Sequence, residues 1–232
     1  MGQVSSAHRE HPLPGVDVLL GAGWGESSSS DENQGPNFVA GNQYLADEDL
    51  RRADVAAGGR YVVVQRTPGC DGAKLLDEAA QKATRERRRL LGIFGTRSGG
   101  LPYRTADGDY HPVSGVTPAV PYSPADLTEN PTLAEMTRAT LYVLSTNPNG
   151  FWLMVEAGQV DLACHDANID TRSALFSRAT RPLRKSLRGL EANDAWRETA
   201  VIVTSDHGHG FVLTDPNVFT GTSSVGRQAI GN

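Results

Sequence analysis

Little in this sequence marks a special compartment or a charged partner. It has two cysteines, Cys70 and Cys164, far apart and in no C-x-x-C arrangement. They could pair, but sequence alone does not establish the geometry a disulfide needs, and two free thiols is the plainer reading. No apolar run approaches the roughly 18–20 residues of a membrane span. The opening MGQVSSAHREHPLPG lacks the apolar segment of a secretory signal, so the chain as written would stay cytoplasmic. A basic excess is also missing: the net charge is −5, which argues against nucleic-acid and membrane-surface partners. Gly21, Gly23 and Gly25 close a short apolar run, but no Gly-Lys-Ser/Thr follows, which argues against a phosphate-cradling loop. What remains is globular in composition, 38% apolar and 21% charged in 232 residues, an ordinary length for one α/β domain.

Along the chain, residues 1–15 are a polar lead-in, 16–215 one domain and 216–232 a poorly ordered tail. Strands are expected at Val16–Leu20, Arg60–Gln65, Leu90–Gly95, Phe151–Val155 and Ala200–Thr204, each an apolar or β-branched run. Helices are expected at Asp47–Ala57, at Asp71–Arg89 with Leu75, Leu76, Ala79, Ala80 and Ala83 on one face, and from Pro131 onward, where Leu133, Met136, Thr140, Val143 and Leu144 recur at helical spacing. The RERRR run at 85–89 reads as a solvated face. Residues 96–130 are rich in Gly and Pro and read as a long loop excursion, with His111 on its surface. Alternating strands and helices favour an α/β fold: three layers, a mainly parallel sheet with helices on both faces.

Chemistry concentrates between Phe151 and His209. In open α/β sheets the residues just past a strand's carboxyl end face the ligand, and both Glu156 and Asp206 end apolar runs. Asp161 and His165 are four apart, so both would face one way on a helical turn. Asp206 and His207 are adjacent and would share a site only if the chain turns there, which Gly208 makes easy. Carboxylate with imidazole suits zinc, and oxygen-only surroundings would suit magnesium. Taken singly, Asp161, His165, Asp206 and His207 could be helix caps and surface histidines; Glu156 is harder to dismiss, because an unpaired buried carboxylate is costly. Cys164 reads as packing.

The stretch PTLAEMTRATLYVLSTNPNGFWLMVEAGQVDLACHDAN, followed by TAVIVTSDHGH, resembles the alkaline phosphatase family. A weaker likeness runs upstream through GVDVLLGAG, GRYVVVQRT and LLGIFGT, so that it covers most of residues 15–215. The resemblance implies a large α/β fold, an exported homodimer, and hydrolysis of phosphate monoesters through a phosphoserine with two zinc ions and one magnesium. Carried over, Glu156 matches the magnesium ligand, Asp161 and His165 ligands of one zinc, and Asp206 and His207 ligands of the other. His209 matches a histidine that orients a ligand carboxylate. The family's nucleophilic serine, its zinc–magnesium bridging aspartate and its phosphate-holding arginine have no counterpart here. Nor has its final zinc histidine, while Leu162 and Pro182 depart from the family pattern. These gaps imply a truncated form with incomplete ligand sets, inactive alone and prone to aggregate or to need a partner chain. A related metallo-phosphodiesterase, or a non-catalytic metal-binding protein, are the alternatives.

Overall fold

The computed structural model describes residues 15–21, 47–95, 101–102, 123–165, 188–189, 191 and 194–210. These fall into two compact units, one ending at Val155 and the other beginning at Glu156. The expected lead-in, the tail, His111 and most of the 96–130 excursion lie outside the described residues.

The first unit is built on three parallel strands, β1 (Val18–Gly21), β2 (Tyr61–Gln65) and β3 (Arg89–Ile93), in the order β1-β3-β2. Their register sets Val18, Leu90 and Val62 in one row and Leu20, Gly92 and Val64 in the next row of the same face. Side chains alternate along a strand, so this face is apolar throughout. Gly92 serves it by being small. A Cβ there would lie 2.6 Å from Leu20 Cδ2 and 3.3 Å from the Phe94 ring, which is fully buried.

Two helices cover that face. Helix α2 (Gly72–Arg85) is capped by Asp71, whose carboxylate accepts from the Lys74 N–H, and it buries Leu76, Ala79, Ala80 and Ala83. Helix α4 (Leu133–Leu144) opens on a Thr132/Glu135 capping box and buries Met136, Ala139 and Val143. Together with Val62, Leu90 and Phe94 these residues form one hydrophobic core. The alanines of α2 let its backbone approach both α4 and the sheet. At the start of α2 the approach is tighter still, since a Cβ on Gly72 would sit 2.2 Å from the Glu129 carbonyl oxygen. Helix α1 (Asp47–Ala53) packs on β2 through a shorter span than expected, because Asp54 caps a separate 3-10 turn, Val55–Ala57.

At the carboxyl end of the sheet lies a buried ionic cluster. Arg66, 7% exposed, follows β2. Its Nε donates to Glu129 Oε2 at 2.8 Å, and its Nη1 donates to Asp126 Oδ1 at 2.7 Å and to the Gly95 carbonyl at 2.9 Å. Glu129 Oε1 accepts from the Gly69 N–H, and Asn130 Oδ1 from the Gly95 N–H, each at 2.7 Å. Asp126 belongs to α3 (Pro124–Thr128), a helix where a loop was expected, opened by a Ser123/Asp126 capping box. Burial pushes the Asp126 carboxyl up, but the Ser123 N–H and hydroxyl and the Arg66 guanidinium outweigh it and leave it below its ordinary value. Both cysteines are free thiols.

Two expected strands are not strands. Phe151–Val155 in the first unit and Ala200–Thr204 in the second pair with nothing among the described residues. Their side chains are open to solvent, Trp152 to 81% and Ile202 to 85%. An apolar run records the wish to be buried; a strand also requires a neighbour's ladder, which no local pattern encodes. Among the described residues the fold is thus α/β, with a parallel sheet of three strands and helices packed on it.

Candidate metal centre

The candidate site residues lie in the second unit. Asp161 lies in the first turn of α5 (Gln159–His165). The chain enters α5 from Glu156 through a turn at Gly158, with Val160 N–H bonded to the Ala157 carbonyl. His207 and His209 lie on the irregular segment 199–210. Being two apart, they can present their rings on one side of a non-helical chain, and the ring centroids are 5.0 Å apart at a 59° tilt.

Three side chains converge here. His209 Nε2 is 2.9 Å from Asp161 Oδ1, a hydrogen bond, and His207 Nε2 is 3.5 Å from the same oxygen. One ligand atom from each of Asp161, His207 and His209 lies within 4.8 Å of the others. Atoms bound to one tetrahedral zinc at about 2.0–2.1 Å sit some 3.3 Å apart, so this donor set fits a zinc-sized ion with little movement. His209 is half-buried and His207 exposed, so the centre is open on one side. An open side is what a reacting ligand requires.

The remaining candidates divide. Asp206 stands beside the cluster, its Oδ2 3.5 Å from His207 Nε2, with its side chain 87% exposed. Its carboxyl is held below the ordinary value, first by the His207 backbone N–H and its own N–H, then by the nearby imidazoles. Glu156 is exposed and outside the cluster. His165 closes α5, four residues after Asp161; its side chain lies outside the described residues. The spacing suggested the pairs Asp161–His165 and Asp206–His207, whereas the described geometry gathers Asp161 with His207 and His209. Sequence reasoning missed the Arg66 cluster entirely, although Ser123-Pro124-x-Asp126 was a readable helix start.

No helix among the described residues is long and apolar enough to cross a membrane. The model of a known family, alkaline phosphatase, matches residues 7–232. The chain is 31% identical over 176 residues to alkaline phosphatase H of Pseudomonas aeruginosa, covering 71% of this chain and 35% of that protein. It is 29% identical over 247 residues to the alkaline phosphatase of Escherichia coli, covering 93% and 50%. A shorter match, 33% over 86 residues, is to the tissue-nonspecific isozyme of Felis catus. The chain thus spans half or less of the length of these relatives.

Proposed function

The chain belongs to the alkaline phosphatase family, and from that premise we propose that it carries part of the metal centre of a phosphate monoester hydrolase. Asp161 and His165 serve one zinc, Asp206 and His207 the other, and Glu156 a magnesium. His209 holds Asp161 in place.

The observation that carries this reading is the convergence of Asp161, His207 and His209 within 4.8 Å, from segments more than 40 residues apart. Asp161 and His207 face each other at 3.5 Å. The 2.9 Å bond from His209 holds the Asp161 carboxylate in place. When bound, zinc supplies Lewis-acid stabilisation of the charge that develops on a phosphoryl group. The protein's share is to orient Asp161 through His209 and to keep His207 accessible from solvent.

Zinc binding and turnover are separate outcomes for these residues. We expect zinc to bind, and turnover of a chromogenic phosphate monoester is assayed separately. Calorimetric zinc titration beside that assay tests both. Absence of any zinc binding by the folded chain overturns the metal reading. Brisk turnover abolished by Asp206→Ala overturns the expectation, drawn from the resemblance, of a chain inactive alone.

A further inference from the structure

We infer that the amino edge of the parallel sheet is a docking surface for a short, flexible chain of phosphoryl groups, such as inorganic polyphosphate. Four exposed arginines, Arg60, Arg85, Arg87 and Arg88, adjoin it along the chain. The Arg89 N–H donates to the Arg60 carbonyl at 3.1 Å, and Tyr61 is in register with Arg89. Arg60 and Arg88 are therefore the residues immediately before this first paired row. Arg87 and Arg85 follow at the end of α2, where the Arg88 N–H folds back to the Ala83 carbonyl at 2.8 Å.

Arg60, Arg85, Arg87 and Arg88 are all exposed, and among the described residues none of them joins an ion pair. Asp17, the acid at the start of β1, is taken by Arg89 at 3.4 Å. Glu86 is the acid left within the run. The helix dipole rewards Lys82 and Arg85 in the last turn, but its effect fades within that turn and does not reach Arg87, Arg88 or Arg60. Arg87 has φ +51°, a left-handed conformation that glycine or asparagine adopts more cheaply at a helix end. Among the described residues nothing pairs with it, in a chain of net charge −5.

The chemistry of the edge selects the ligand. Guanidinium groups grip phosphoryl oxygens in pairs. Among the described residues at this edge, the aromatic ring is Tyr61, which already lies under the Arg89 guanidinium, 5.8 Å away, with its hydroxyl bonded to the Val16 carbonyl, so bases find little to stack on. A long nucleic acid would also meet the acidic remainder of the chain.

The test is fluorescence anisotropy of the full chain with a labelled polyphosphate of about 15 units, in EDTA and low salt. We expect saturable binding that Arg60→Ser/Arg88→Ser weakens at least tenfold, with the salt slope reduced by about 1.5. Arg51→Ser/Arg52→Ser removes the same charge from α1 and should leave binding unchanged; circular dichroism confirms that both variants fold. No binding, equal loss in both variants, or tighter binding to oligothymidylate of equal charge or to anionic vesicles would overturn the inference.

Discussion

Replacing Arg66 by Met removes the cation that holds the carboxyl edge of the first unit together. The substitution keeps most of the apolar volume and deletes the bonds to Glu129, Asp126 and the Gly95 carbonyl. Asp126 is partly solvated and keeps its Ser123 partners, so its share of the loss is small. Glu129 is different. Its side chain is 8% exposed, and its remaining described partner would be the Gly69 N–H. A buried charge stranded in this way costs about 3–5 kcal/mol, a large part of the roughly 5–15 kcal/mol that holds a domain folded. Pairing the change with Glu129→Gln removes the stranded charge while its amide oxygen still accepts from Gly69. The double variant should therefore be more stable than Arg66→Met alone by at least about 1 kcal/mol. Urea denaturation followed by circular dichroism gives both values, and amide exchange at Gly69 and Gly95 localises the loss. An Arg66→Met penalty below about 1 kcal/mol, or a double variant no better than the single, would refute the reasoning.

Three further outcomes follow from the same structure. Asp126→Asn should cost about 1–2 kcal/mol near neutral pH, the worth of charged hydrogen bonds. Because folding lowers the Asp126 pKa from 3.8, its contribution is present above that value and is lost as pH falls through the folded pKa. Denaturation curves of variant and parent should therefore converge below pH 4, and a gap that widens there would contradict the assignment. Gly72→Ala should destabilise by about 1–3 kcal/mol through the clash with the Glu129 backbone, whereas a thermal melt unchanged by Ala would mean that α2 does not dock so closely. Leu76→Ala, in the buried face of α2, should cost about 2–5 kcal/mol, and a loss under 1 in chemical denaturation would place Leu76 outside the core.

The parts of the fold legible in the sequence are those whose causes are local. Helices α2 and α4 announced themselves by apolar spacing, and β1 to β3 by short apolar runs between turns. Helix α3 was lost inside a Gly/Pro-rich stretch because five residues are too few to show a period. The partners of Arg66 lie 29 to 63 residues away, a distance at which no pattern in one sequence speaks. The same limit explains the misread of Phe151–Val155 and Ala200–Thr204, whose composition was right for strands but whose ladders would have to come from elsewhere. At the site, Asp161, His207 and His209 were each legible from residue type and resemblance. Their grouping was not, since Asp161 is bonded across 48 residues to His209.

The central claim is that Asp161 and His207 serve a metal centre, with His209 holding Asp161 in place. Zinc titration of the parent chain, of Asp161→Ala and of His207→Ala/His209→Ala, with circular dichroism to confirm folding, addresses it most directly. The account predicts saturable zinc binding by the parent and a loss of at least tenfold in affinity in both variants. Zinc affinity equal in all three proteins would contradict it.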